Sequence, residues 1–239
     1  MAITDETKPA GLLAWKNLAP IYGMSAQEEP KFNRYTGTIE ALPTSAVGHI
    51  TLPRVGTSAT QTEEEVRESL RRFINDWREV IGADLSQLSL VERVDDPSGS
   101  RLARYEQRPF RQQLHGEFGN LRIRFRADRS VVELFSNCIP NAERLQASLS
   151  ALTPKVSAEE AAAHVVGHPI TVRTPTGTEE TITLPSGSAV DVKQIVVYAL
   201  PASDQQSLEL HLAWEIGTSN SQIKTIYLDA MTDEVIFGT

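Results

Sequence analysis

Apolar and polar positions along this chain switch between two periods. From Val66, the residues Leu70, Phe73, Ile74, Trp77, Val80 and Ile81 recur in steps of three and four, which places them on one stripe of a helix. Arg71, Arg72, Asp76, Arg78 and Glu79 fall mostly off that stripe. Thr62-Glu63-Glu64-Glu65 ahead of it has the form of a capping box, and Gly82 supplies a stop. Such a helix must lie on an apolar surface, and the next segment offers one with period two. Residues 88–93 and 102–108 are predicted strands, separated by the turn Asp95-Asp96-Pro97-Ser98-Gly99. Leu121, Ile123 and Phe125 alternate with Arg122, Arg124 and Arg126. Beyond Asp128-Arg129-Ser130, residues 131–135 return as the hairpin partner. One face of this sheet should be covered and the other wet.

The pattern then repeats in kind. Residues 141–150 read as a polar helical or irregular link, punctuated by Thr153-Pro154-Lys155. Ser157-Ala158-Glu159-Glu160 is a second capping box, opening an Ala-rich helix to about Val166 that Gly167 and Pro169 end. Strands are predicted at 170–173, 180–184, 192–200, 208–216, 223–229 and 234–237. Leu208, Leu210, Leu212, Trp214 and Ile216 share one face, so Trp214, like Trp77, is expected in a core. One helix followed by an antiparallel meander, twice over, defines an α+β chain with modules at 1–150 and 151–239. Residues 1–60 form an N-terminal extension of the first module. In it Leu12, Leu13, Trp15 and Leu18 suggest a short helix that Pro20 ends, and 34–42 with 47–52 suggest a hairpin around Pro43-Thr44-Ser45.

Composition narrows the function classes. Apolar residues make up 40% and charged ones 23% of 239, enough to bury a core. A net charge of −8 argues against a nucleic-acid partner, and no run approaches the apolar length of a membrane span. The N-terminus lacks the basic start and apolar stretch of a signal peptide, so the protein is cytoplasmic or the sequence begins after a removed leader. The single cysteine, Cys138, reads as a buried structural thiol at a strand end.

Candidate chemistry is sparse. His164 and His168 have the spacing of a helical zinc pair, but Val165 stands where the general-base glutamate of His-Glu-x-x-His would be, and Gly167 frays the helix. A helix-terminal histidine favoured by the dipole is the better reading. There is no Gly-x-Ser-x-Gly elbow, and Pro185-Ser186-Gly187-Ser188 has turn composition. Neither phosphate-binding glycine motif appears. No catalytic, cofactor or metal residues are therefore assigned, and the chain is expected not to be an enzyme. The most informative charge is basic. Between Arg101 and Arg129, eight arginines less three carboxylates leave +5 within a chain of −8. These side chains either pair across a solvated sheet face or dock an acidic patch of a protein partner, with Arg122, Arg124 and Arg126 as the surface to test.

Two stretches resemble known families. Leu210-His211-Leu212-Ala213-Trp214-Glu215-Ile216, followed by Lys224-Thr225-Ile226-Tyr227-Leu228-Asp229-Ala230-Met231-Thr232-Asp233-Glu234-Val235-Ile236, resembles the end of a PepSY domain. Val156-Ser157-Ala158-Glu159-Glu160-Ala161 is similar to that family's opening helix. Asp233 stands where the family usually has Gly, at a turn that wants a residue tolerant of positive φ. The preceding module is similar to the fungalysin/thermolysin propeptide domain through Tyr105-Glu106-Gln107-Arg108-Pro109-Phe110-Arg111, Leu114-His115-Gly116 and the strand at Leu121. It departs at Gln112-Gln113-Leu114, where Gly-Ile-Pro is expected.

This resemblance implies two cystatin-like, propeptide-like modules, each a helix on a curled antiparallel sheet. It also implies a secreted or periplasmic location and a thermolysin-like metallopeptidase as partner, to be inhibited or helped to fold. No peptidase follows in this sequence, so the expected mode is in trans. The alternatives are a stand-alone surface or structural interaction protein and a small-ligand binder on the concave sheet.

Overall fold

The computed structural model describes residues 2–3, 7–25, 27–57, 61–96, 99–173, 179–202, 205, 207–219 and 223–239, with 2–3, 7–9, 172–173 and 179 by backbone alone. It is a mixed α and β structure with few helices and mainly antiparallel sheets. Strand β1 (Ala2–Ile3) and helix α1 (Thr7–Leu18) come first, and Pro20 then sits in a tight turn at Ala19–Tyr22 that does not continue α1. Strands β2 (Lys31–Phe32) and β3 (Ile39–Ala41) pair with each other.

The hairpin expected between 34–42 and 47–52 does not form. A 3-10 turn at Thr44–Ala46 redirects the chain, and Ile50 and Leu52 are fully or almost fully buried. Their backbone bonds run elsewhere: Leu52 N–H donates to the Arg129 carbonyl (2.9 Å), and the Ile50 carbonyl accepts from Val131 N–H (2.8 Å). Burial of two large aliphatic side chains outweighs a local hairpin with no apolar face of its own.

Helix α2 (Glu63–Asp76) opens on the capping box: Thr62 Oγ1 accepts from Glu65 N–H (3.3 Å) and Thr62 N–H donates to the Glu65 carboxylate (2.7 Å). The apolar stripe does not run through one helix. It breaks at Trp77 (φ −102°, ψ 8°) before α3 (Arg78–Ile81), which Gly82 ends in the left-handed region. The break turns the Trp77 ring into an aromatic group. It stacks on Phe73 (5.1 Å), meets Trp15 edge-on (6.1 Å), and its indole N–H donates to Tyr22 Oη (3.2 Å).

Strands β4 (Leu88–Asp95) and β5 (Ser100–Gln107) follow, and the tip of the turn between them, at 97–98, lies outside the described residues. After β6 (Leu114–Gly116) come β7 (Asn120–Arg126) and β8 (Val131–Ser136). The smaller sheet has the order β4-β5-β7-β8. Leu121, Ile123 and Phe125 turn inward against α2 and α1, as their alternation requires. Cys138, just after β8, is fully buried in this core.

Helices α4 (Ala142–Ser150) and α5 (Ala158–Val165) lead into β9 (Pro169–Arg173), β10 (Glu179–Thr183), β11 (Val190–Pro201), β12 (Leu208–Thr218), β13 (Thr225–Asp229) and β14 (Val235–Gly238). Ser157 and Glu160 cap α5 with bonds of 2.8 and 3.2 Å. The eight-stranded sheet is ordered β10-β9-β14-β13-β12-β11-β6, with β1 alongside β12. The consecutive strands β11 to β14 form a meander, and the β9–β10 hairpin joins its far edge. Leu145 and Leu149 of α4, and Ala161 and Val165 of α5, cover one face through Leu210, Leu212, Ile216, Ile226 and Leu228. Trp214 shares that face and donates its indole N–H to the Val156 carbonyl (2.9 Å).

One strand of this sheet comes from the middle of the other. β6 leaves the chain between β5 and β7 and pairs parallel with β11, Leu114 opposite Val197 and Gly116 opposite Ala199. Gly116 lies at φ +104°, and a Cβ there would stand 2.4 Å from the Ala199 carbonyl oxygen. Only glycine allows this backbone approach.

Candidate functional site

The face of the larger sheet opposite the helices carries a buried apolar cluster of its own, to which no described helix contributes. Odd-numbered residues of β12 point that way because the even ones are committed to the core. Cross-strand register then assembles Val196, Tyr198, Ala213 and Tyr227 in one cluster, with Leu200, Ile236 and Phe237 against it. The Tyr198 and Tyr227 rings lie 4.5 Å apart, and Phe237 is 6.4 Å from Tyr198. β6 brings in His115, whose Nδ1 is 2.9 Å from Tyr227 Oη. The His115 Nε2 is buried and makes no hydrogen bond. These rings form the floor of a cleft of about 1140 Å³, walled on one side by 106–108 and 117–120, at the ends of β5 and β7, and rimmed by Lys224.

Burial raises the Tyr227 hydroxyl to about 12, reinforced by the Glu215 carboxylate. It also lowers the His115 imidazole below the ordinary histidine value, so the neutral ring is favoured. Glu215 is almost buried. Burial alone would raise its pKa, but Gln194 (3.0 Å) and Lys193 (3.3 Å) hold the carboxylate ionised and lower it. Nearby, His211 sits between two acids, Nδ1 at 2.5 Å from Asp229 and Nε2 at 3.3 Å from Glu209. The bond to Asp229 is the main reason its pKa rises. Asp229 loses solvation, which would raise its own pKa, yet His211 and the amides of Met231 and Thr232 bring it below the usual value. Asp229 thereby fixes the turn in which Asp233 adopts φ +65°.

The arginines singled out in the sequence occupy the wet face of the smaller sheet, largely paired with their neighbours. Arg124 lies 3.1 Å from Glu133 and 3.9 Å from Asp96, and Arg122 stacks on Phe135 (4.3 Å) with Glu133 at 3.9 Å. Arg104 pairs with Glu92 (2.8 Å) and Arg101 with Asp95 (3.6 Å). Arg126 is exposed at the strand end. The basic run is thus a cross-strand lattice, and the excess of +5 counted along the segment is mostly offset by carboxylates from β4 and β8.

Other candidates disperse. The His164 and His168 rings stack at 4.3 Å, and His164 Nδ1 faces Asp233 (2.8 Å). Among the described residues no three His, Cys, Asp or Glu side chains are grouped to hold a metal ion. Burial pushes the Cys138 thiol up to about 12. Ser188 closes a turn by donating to the Pro185 carbonyl (2.8 Å). No described helix is long and apolar enough to cross a membrane.

The aromatic floor escaped sequence reasoning. His115, Tyr198, Tyr227 and Phe237 come from four strands, and in each strand they look like ordinary sheet residues. The one local trace is Tyr198 and Tyr227 on the face opposite the aliphatic stripe. No protein-family model matches the chain, and no curated protein matches it either.

Proposed function

We propose that the chain is a non-catalytic protein-binding module of the kind found in the pro-regions of thermolysin-like metallopeptidases. In this reading it has a propeptide-like module over 1–150 and a PepSY-like module over 151–239, both cystatin-like. It works in trans on a secreted or periplasmic peptidase, as inhibitor or folding helper. The observation that carries the reading is the cleft on the sheet face opposite the helices. Its aromatic floor and mixed polar rim suit a protein surface better than a buried small molecule, because the site is broad and open to one side.

Supporting features are the two capped helices, each lying on a single sheet face, and the residues of the PepSY resemblance. Trp214 ties the sheet to the segment before α5, and Asp233 takes the positive φ of the turn where the family has Gly. Arg122, Arg124 and Arg126 are a second candidate surface, weaker for its internal ion pairs. Inhibition assays with thermolysin-like metallopeptidases test the proposal. Peptidase activity should fall saturably as the purified chain is added at micromolar concentration. Undiminished activity, with no effect on refolding yield of the same peptidases, would count against both roles.

A further inference from the structure

The segment between β5 and β7 crosses from one sheet to the other, and its anchors are at its ends. Phe110 and Phe118 are buried in the core shared with α4, whereas residues 111–117 are all half-buried or exposed. Arg111 N–H donates to Gln146 Oε1 (2.5 Å) at one end, and Gly119 N–H to the Asn137 carbonyl (3.0 Å) at the other. Between these anchors only Leu114 packs against that core. Pairing with β11 is confined to Leu114, His115 and Gly116, together with the Val197 N–H that donates to the Gln113 carbonyl (2.9 Å). A strand pair this short can open without the rest of the fold. Residues 113–117 also line the cleft, so its width depends on where they lie.

His115 is the middle residue of that pairing, opposite Tyr198 on β11. Its Nδ1 meets Tyr227 Oη on β13 (2.9 Å), while its Nε2 is buried without a partner. A neutral imidazole has one N–H to place, and an imidazolium has two. Tyr227 Oη can accept the first. The second, on Nε2, has no acceptor where it lies, and a buried cation with an unmet donor is relieved only by water. The neighbouring charges do not remove that cost. Glu215 on β12 attracts a charged ring, but Lys193 on β11 opposes it and already pairs with Glu215 (3.3 Å). Burial outweighs both and favours the neutral ring.

We propose that residues 111–117 form an acid-released strap: a proton on His115 frees Leu114-His115-Gly116 from β11 and widens the cleft that they border. The docked strap is fully favoured above the ordinary histidine value of 6.5 and loses ground as pH falls below it. This device is independent of what the cleft binds.

Hydrogen exchange of the Val197 amide, whose bond to Gln113 lasts only while the strap is docked, tests it on the full chain. Corrected for the intrinsic pH dependence of exchange, its protection should fall by about fivefold or more between about pH 7 and about pH 5. The Val131 amide, bonded to the Ile50 carbonyl in the smaller sheet (2.8 Å), should keep its protection. In His115→Gln, whose side chain takes up no proton, Val197 protection should not change with pH. Protection of Val197 that stays constant in the wild type, falls equally in the variant, or falls no further than that of Val131 overturns the inference. If the variant does not fold, the His115 ring followed by NMR in the wild type decides. Titration at or above 6.5 contradicts the strap, and titration below it, with Val197 protection lost over the same range, upholds it.

Discussion

At the scale of single residues, Gly116 joins the two sheets most sharply. A methyl group there meets backbone at 2.4 Å and a positive φ besides, so neither side can yield cheaply. Gly116→Ala should destabilise the protein by more than about 1 kcal/mol, read as a lower urea midpoint with unchanged slope. His211 makes a pH-dependent contribution. Its folded pKa is raised above the ordinary 6.5, chiefly by the bond to Asp229, so its stabilisation is complete below that value and is lost as pH rises through the raised one. His115 has the opposite sign, being favoured neutral by burial, and contributes above the ordinary value. Comparing the wild type with His211→Gln at about pH 6 and about pH 9 isolates the first effect. The variant should be the less stable at the lower pH, with the gap narrowing at the higher. A gap independent of pH would mean that His211 acts by packing alone. None of this was legible in the sequence, because the bond joins β12 to β13 across register that only the folded sheet sets.

Elements were far more legible, and where they were not the reason is physical. The capping boxes at Thr62 and Ser157 and the alternation at Leu121 are local signals, and the structure carries each of them out. The break at Trp77 is not local. No proline or glycine marks it, and although Phe73 is a local partner, the contacts of the indole with Trp15 and Tyr22 depend on a segment some sixty residues earlier in the chain. Residues 47–52 were misplaced for the same reason, since Ile50 and Leu52 are recruited by the smaller sheet. Phe73 lies fully buried at the centre of this packing, so Phe73→Ala should cost about 3–5 kcal/mol, measurable by chemical denaturation. On β7 the expectation is the reverse. Exposed, internally paired arginines contribute little, so Arg126→Ser should change stability by less than about 0.5 kcal/mol. If Arg122, Arg124 and Arg126 are all replaced by Ser and partner binding is unchanged, that surface is excluded.

At the scale of the whole molecule, the sheets are interlocked. β6 is donated across, α4 packs on the larger sheet from a position before residue 151, and Phe110, Phe118 and Ile139 share a core with Val197 and Leu210. The side chains of Arg34 and Tyr35 reach Gln205 at 3.0 and 3.1 Å. Such coupling predicts one cooperative unfolding transition. Trp15 and Trp77 report on one core and Trp214 on another, so tryptophan fluorescence and far-ultraviolet circular dichroism of the wild type should give coincident midpoints. Separated midpoints would show two independent units. The interlock also builds the cleft, whose floor belongs to one sheet and whose wall belongs to the other, which is why no single stretch of sequence announced it.

We propose that this assembly binds a protein, of the thermolysin-like metallopeptidase kind, without acting on it. Size-exclusion chromatography with light scattering, on an equimolar micromolar mixture of the chain and an inactivated thermolysin-like metallopeptidase, addresses it most directly. A stable complex with the summed mass of the two is expected. Two separate peaks at their individual masses, across a set of such peptidases, would contradict it.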